Sequence, residues 1–164
     1  MGLVPVAVSH QPFLLELFSI PDVLVGLRMP IPESSPDRIV GTLASYRVQM
    51  VATHLPTQDS VGWLGSRNID HRNGVAKMVG AIHPLYDAPW RLEVFVLFSR
   101  LLFAEYSLRK VYLEVPDFVR VSERLLSHMG IRKLGTLHRH ERYLHRWADV
   151  NVFEINRSAA FGYD

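Results

Sequence analysis

The chain has 164 residues, of which 48% are hydrophobic and 21% charged, and its formal net charge is +2. This size and balance suit one globular domain, and so small a net charge gives no indication of a nucleic-acid partner. The absence of cysteine excludes disulfides, thiolate metal ligands and a cysteine nucleophile. No signal peptide and no membrane-spanning run is predicted, so we expect a cytoplasmic protein without membrane contact.

The first half of the chain predicts short helices followed by antiparallel strands. Residues 3–8 predict a strand, and the apolar stretch 13–29, interrupted by Pro21, predicts one or two helices. Ser34 can cap a further helix. Runs rich in β-branched residues, joined by short turn sequences, predict an antiparallel meander over residues 48–54, 60–70 and 75–83.

The second half alternates helices with strands. Apolar residues recur at helical spacing over residues 93–108 and 118–129, and Gly130 can end the second of these helices. Residues 158–164 lack periodicity and are expected to form a C-terminal tail. Alternating and apolar runs predict strands over residues 110–115, 131–139 and 147–155.

This order of elements predicts a mixed α+β domain over residues 1–157. A helix connects strands 75–83 and 110–115, so these two strands should lie parallel with a right-handed crossover. Strands joined by short turns pair antiparallel. We therefore expect a mixed, mostly antiparallel sheet of about seven strands flanked by about four helices.

Several short motifs follow one another in the second half of the chain. They are Ala81-Ile82-His83-Pro84, the strand at 108–116, Ser122-Glu123-Arg124-Leu125-Leu126, Met129-Gly130-Ile131, and the segments 134–135 and 147–155. In this order and spacing they resemble the GNAT superfamily of acetyl-CoA-dependent N-acetyltransferases. The pattern is most similar to the branch that acetylates ribosomal-protein N-termini, and the resemblance covers roughly residues 38–157.

The resemblance implies a GNAT-like fold whose two parallel strands splay apart to hold the pantetheine arm of acetyl-CoA or another acyl-CoA. In relatives, the backbone of the first strand pairs with the pantetheine amides as an added strand would. This contact needs a strand but no particular side chains. The backbone that corresponds here belongs to Val79, Gly80, Ala81 and Ile82.

The loop that corresponds to the CoA diphosphate site departs from the family pattern. Relatives use a glycine-rich, basic turn whose free N–H groups and helix-dipole end face the anion. Arg91 suits this task, but Pro89 lacks an N–H group and Asp87 adds negative charge. We therefore expect weakened diphosphate binding by the corresponding residues Ala88, Trp90, Arg91 and Leu92.

The following helix carries one further departure and one match. Relatives often have an asparagine that contacts the cofactor at the position of Val119, and valine forms no side-chain hydrogen bond. Ser122 matches a serine whose hydroxyl, in relatives, can protonate the leaving thiolate of CoA. A serine on a helix flank equally often bonds to a backbone carbonyl.

His83 and Glu114 are the candidate general bases. His83 ends the strand that would line the cleft and can accept a proton from an amine, although a His-Pro pair at this place is common in the family without catalytic duty. Glu114 can act as a base if burial raises its pKa, but a solvated strand carboxylate is the more frequent case.

Arginine and histidine cluster between residues 131 and 147. Strand alternation would place His138 and His140 on one face, as a pair of metal ligands requires. We expect no metal site, because no nearby carboxylate is evident and Arg139 and Arg142 would repel a cation. A solvated basic hairpin that steers an acidic partner is the favoured interpretation.

Three functions are consistent with these residues. The leading hypothesis is an acyl-CoA-dependent N-acyltransferase, most simply an acetyltransferase, acting on a small-molecule or peptide amine. The alternative is a repurposed fold in which Trp90 caps the cleft, so that it serves an acyl donor bound to an acyl carrier protein, another reaction, or binding only. A third is a structural or interaction module that pairs through a sheet edge or through the apolar segment 13–27. A monomer and a homodimer are both compatible with the sequence.

Overall fold

The structure is a computed structural model that describes residues 1–27, 41–86, 88–119, 123–143 and 145–162. Residues 41–44 are helical, and a 3-10 turn over Val8–His10 leads into the first helix. The strands are β1 (Gly2–Pro5), β2 (Val48–His54), β3 (Asp59–Asp70), β4 (Val75–Ile82), β5 (Lys110–Pro116), β6 (Arg132–Tyr143) and β7 (Arg146–Asn156). The helices in the described part of the chain include α1 (Gln11–Leu17), α2 (Pro21–Gly26), α3 (Ala88–Glu105), α4 (Glu123–His128) and α5 (Arg157–Phe161).

The strands form one seven-stranded sheet in the order β1-β2-β3-β4-β5-β7-β6. The pairs β1–β2, β2–β3, β5–β7 and β6–β7 are antiparallel, whereas β4 and β5 are parallel. The expected α+β fold with a mostly antiparallel sheet and one parallel pair is confirmed.

The parallel register is short. It runs from Val75 opposite Lys110 to Met78 opposite Leu113. Strand β4 then continues to Ile82, while β5 continues to Pro116 in register with β7. The last four residues of β4 therefore lie beyond the register that joins it to β5.

The first of two compact units comprises residues 1–68 and 79–98. Its core is built around Trp63, whose ring meets Phe18 and Tyr46 edge to face and whose Nε1 donates to Gln49 Oε1 at 3.3 Å. Pro12 and Pro21 occupy the first turns of α1 and α2, where the missing N–H has no intrahelical partner to lose. The apolar side chains of these helices pack into the same core, which accounts for the composition of the segment. They are Leu14, Leu17, Phe18, Val23 and Leu24.

The second unit comprises residues 69–78 and 99–164. Alternation in β5 buries Val111, Leu113 and Val115, as the sequence predicts. The division of the chain into one domain over 1–157 and a tail stays a prediction. No helix in the described part of the chain is both long and apolar enough to span a bilayer.

Within the segment predicted as a C-terminal tail, the chain forms a short helix, α5, over Arg157–Phe161. The Asn156 side chain accepts from the Ala159 N–H at 2.7 Å, and Gly162 ends the helix with a φ of 70°. Arg100 donates to the Ala160 carbonyl and ties the helix down. A helix of one turn is too short for a periodic pattern, so its capping residues are the only sequence signal.

Other helices and strands also begin or end at residues different from those predicted. Helix α3 begins at Ala88, five residues before the predicted start at 93, because Pro89 suits a first helical turn. Residues 117–119 form a turn, and the described part of the helix predicted over 118–129 is α4. Strand β6 extends to Tyr143, beyond the predicted end at 139.

Candidate active site

The expected cofactor-binding strand is the end of β4. Ala81 and Ile82 are buried there, and Val79 and Gly80 are half-buried. A Cβ on Gly80 would lie 2.9 Å from Phe95 Cε1. On the neighbouring strand, a Cβ on Gly62 would lie 2.7 Å from the Ala81 carbonyl oxygen. Glycine at these two positions therefore allows α3 and β3 to pack closely against the end of β4.

His83 directly follows this strand and organises the turn after it. Its N–H donates to the Val61 carbonyl at 2.8 Å, and its own carbonyl accepts from the Tyr86 N–H at 3.0 Å. Its ring Nδ1 accepts from the Leu85 N–H at 3.4 Å. An Nδ1 that accepts a hydrogen bond places the proton of the neutral ring on Nε2. Neither ring nitrogen then offers a lone pair to an amine, so this geometry supports a turn-forming role.

The start of α3 carries the positions that correspond to a diphosphate site. Trp90 is 41% exposed and meets the His54 ring edge to face, with centroids 6.0 Å apart. The Tyr86 ring lies 6.4 Å from the same His54 ring. Leu92 is buried, and the helix begins at Ala88. The start of this helix thus carries an aromatic cluster made of His54, Tyr86 and Trp90.

Arg91 is tied to the turn that precedes its helix. Its Nε donates to the Tyr86 carbonyl at 2.8 Å and its Nη2 to the Pro84 carbonyl at 3.3 Å. A guanidinium group has five N–H donors, so donors remain for an anion. The sequence indicated the charge at this position, but it held no signal for these two carbonyl contacts.

The second unit contains Glu114 and Val119. Glu114 Oε2 lies 2.6 Å from Lys77 Nζ, and its side chain is 19% exposed. The Val119 N–H donates to the Pro116 carbonyl at 3.0 Å in the turn after β5, and its side chain is half-buried. Ser122 and Asp87 lie outside the described residues.

A second carboxylate in this unit forms an ion network that the sequence analysis missed. Glu154 is only 4% exposed and accepts from Lys110 Nζ at 2.6 Å and from Arg132 Nη2 at 3.0 Å. The hydrogen bond from Lys110, together with both positive charges, holds the pKa of the Glu154 carboxyl below its ordinary value. Because cations on β5 and β6 satisfy this carboxylate of β7, we assign the group to holding strands together.

The histidines of the β6–β7 hairpin do not share one strand face. Arg139 has a φ of 49°, and the register shifts between Leu137 and Glu141, which breaks the alternation of His138 and His140. The expectation that no carboxylate lies nearby is wrong. Asp149 Oδ2 is 2.8 Å from His138 Nδ1, and Asp149 Oδ1 accepts from the Arg139 N–H at 2.8 Å.

The Asp149 carboxylate thus occupies the β-bulge that β6 forms around Arg139. The Arg139 N–H, followed by the His138 ring, holds the pKa of the Asp149 carboxyl below its usual range. Within the described residues, no group of three or more histidine, aspartate or glutamate side chains is placed to hold a metal ion. The contacts of Asp149 therefore support a structural role, in which it fixes the bend of the hairpin.

This chain has the fold of the GNAT acetyltransferases, as its likeness to solved structures shows. No protein-family model matches the chain, and no curated protein matches its sequence. Solved structures do match it. The spermidine N-acetyltransferase of Vibrio cholerae, in complex with CoA and spermine, has a TM-score of 0.80 and 16% identity over 98% of this chain and 97% of its own.

Two further solved structures have a similar fold. A GCN5-related N-acetyltransferase from Brucella melitensis has a TM-score of 0.74 and 19% identity over 98% of this chain and 79% of its own. A GNAT-family acetyltransferase from Bacillus anthracis has a TM-score of 0.74 and 13% identity over 94% and 93%. At such identities the likeness defines the fold, and function has to be argued from the site.

Proposed function

We propose that this chain is an acyl-CoA-dependent N-acyltransferase that transfers an acetyl group to a primary amine of a small molecule or peptide. The observation that carries the proposal is the end of β4, four residues that continue past the parallel register on a fold shared with N-acetyltransferases. The cytoplasmic location and the monomeric or homodimeric state stay predictions.

The donor would bind mainly through the backbone. Main-chain N–H and C=O groups of Val79, Gly80, Ala81 and Ile82 would pair with the pantetheine amides, as an added strand pairs with a sheet. Two features support this. The four residues are strand, and glycine at positions 62 and 80 keeps the packing around them close.

The diphosphate would then rest on the first turn of α3, where Arg91 supplies its remaining N–H donors. Pro89 contributes no N–H there. We therefore expect the diphosphate to contribute less to the binding affinity of acyl-CoA than it does in relatives.

The reaction transfers the acyl group directly. The amine nitrogen attacks the thioester carbonyl, and the N–H of Ala81 or Ile82 stabilises the oxyanion. The carbon–sulfur bond breaks, and the leaving thiolate takes a proton from Ser122, whose oxygen regains a proton from water. The proton lost by the amine passes to Glu114 or to water. His83 is not given this role, because its Nδ1 is occupied by the Leu85 N–H.

In a second candidate function, the acyl donor would still bind to strand β4 but would not carry the CoA nucleotide. Trp90 packs on His54 and Arg91 is bound to two loop carbonyls, so both side chains already have partners inside the protein. A donor carried on an acyl carrier protein presents pantetheine without the CoA nucleotide, and it would need only β4. The aromatic cluster His54, Tyr86 and Trp90 favours this candidate.

Titration calorimetry with acetyl-CoA and, in parallel, with pantetheine distinguishes the two candidate functions. Micromolar binding of acetyl-CoA, more than about tenfold tighter than pantetheine, supports the first function. Equal affinity for the two supports the carrier-bound donor, and no binding of either contradicts both. An amine panel would follow, with spermidine and spermine included because of the Vibrio cholerae neighbour.

A further inference from the structure

The two edges of the sheet differ in length and exposure. Strand order places β1 at one edge and β6 at the other. β1 is four residues long and ends at Pro5, which has no N–H to offer a partner. β6 is twelve residues long, and nine of its residues are exposed. A long, exposed edge strand leaves backbone N–H and C=O groups open to pairing with another chain.

This edge is also basic. Residues 131–147 contain five arginine or lysine residues and a single acidic one, Glu141. Arg132 is neutralised by Glu154 and Arg146 lies 3.3 Å from Asp117, but Arg142 makes no ion pair with a residue in the described part of the chain. The hairpin thus keeps a positive field at low salt.

Apolar side chains are interspersed among these charges. Leu134 and Leu137 on β6 and Trp147 on β7 are each more than a third exposed. Open backbone groups, apolar side chains and positive charge together make this surface complementary to an extended segment whose side chains are apolar and acidic.

We propose that β6 is a docking edge for an acidic, extended protein segment that adds to the sheet as a further strand. A second copy of this chain is a poorer occupant, because it would bring one basic edge against another. The register shifts after Lys133 and after Leu137 limit the regular length of the edge. The segment therefore pairs over a few residues and gains the rest of its affinity from charge. This surface is independent of the proposed catalysis.

The test uses the full chain and a fluorescein-labelled peptide of alternating glutamate and valine, about ten residues long. A peptide of the same sequence with alternate backbone amides methylated keeps its charges and loses N–H donors. We expect the unmodified peptide to bind more than about tenfold tighter, because several main-chain hydrogen bonds are lost on methylation. Hydrogen exchange should slow at residues 132–143 and stay unchanged at Gly2–Pro5.

Charge reversal locates the site. Arg142→Glu should weaken binding about two- to fivefold near 50 mM salt, and less near 300 mM. Arg72→Glu makes the same change in an exposed turn between β3 and β4, and it should leave affinity unchanged. Equal binding of both peptides would overturn strand addition in favour of charge attraction alone. Protection at β1, or self-association of the chain that the peptide does not reverse, would overturn the choice of edge or of occupant.

Discussion

The end of β4 and the start of α3 lie in the same compact unit but are built in different ways. The residues from Val79 to Ile82 are held by close backbone packing against Gly62 and Phe95. Trp90 and Arg91 at the start of α3 are exposed, and they contact His54 and the turn before the helix, respectively. Binding through backbone groups of a strand tolerates side-chain divergence, whereas binding through N–H groups and small residues is sensitive to proline and to bulky side chains.

The largest expected effect concerns the packing that fixes β4. In Gly62→Ala, the added methyl would lie 2.7 Å from the Ala81 carbonyl oxygen and 2.3 Å from Ile82 Cδ1. We expect the free energy of unfolding to fall by about 1–3 kcal/mol, which lowers the melting temperature by several degrees, and pantetheine binding to weaken. Calorimetric melting and pantetheine titration measure these two effects.

Gly135→Ala is the matched control, because a Cβ at Gly135 has nothing within 4 Å. Its stability should change by less than about 0.5 kcal/mol. If Gly62→Ala behaved like Gly135→Ala, the end of β4 would not be fixed by packing, and the contrast with α3 would disappear.

The second prediction concerns Pro89 and Trp90 at the start of α3. Replacing both Pro89 and Trp90 by glycine returns one N–H donor and removes the ring from the exposed end of the helix. We expect acetyl-CoA affinity to rise about tenfold, the value of one hydrogen bond to a charged group, while pantetheine affinity stays constant. Calorimetry with both ligands is the measurement, and Trp90→Gly alone separates the two changes. An unchanged ratio of the affinities would mean that these side chains are not what limits diphosphate binding.

The third prediction asks whether Arg91 acts by charge or by shape. Arg91→Gln should weaken acetyl-CoA binding about two- to fivefold at low salt, as expected for an exposed ion pair, with less effect at high salt. Arg91→Lys keeps the charge and should retain most of the affinity. Parallel losses for pantetheine in both variants would show instead that Arg91 serves by holding the turn at Pro84 and Tyr86.

The same contrast explains what the sequence could and could not predict. Strands with regular alternation, such as β5 with Val111, Leu113 and Val115, are encoded locally, so the sheet and its parallel pair could be derived from pattern and connection length. Helix α5 was missed because one capped turn has no periodicity.

Site geometry was harder to predict because it depends on partners far away in sequence. The Trp90–His54 contact joins α3 to β2, and the Asp149 carboxylate that fills the bulge at Arg139 comes from the opposite strand. Neither spacing nor composition encodes such pairings. The family resemblance indicated Trp90 as a departure and Arg91 as a match, but no motif encodes the atoms that each side chain contacts.

The smallest expected effect lies at His83, which joins the two regions. His83→Asn keeps an acceptor near the Leu85 N–H but removes the imidazole ring. Because the ring Nδ1 is used to form the turn, we expect kcat to change by less than about threefold and the acid limb of the pH–rate profile to remain. A true general base contributes about 10² to 10⁴, so a loss of that size together with a flat acid limb would reassign His83 to catalysis. Steady-state rates across pH, with the melting temperature as the check on folding, distinguish the two outcomes.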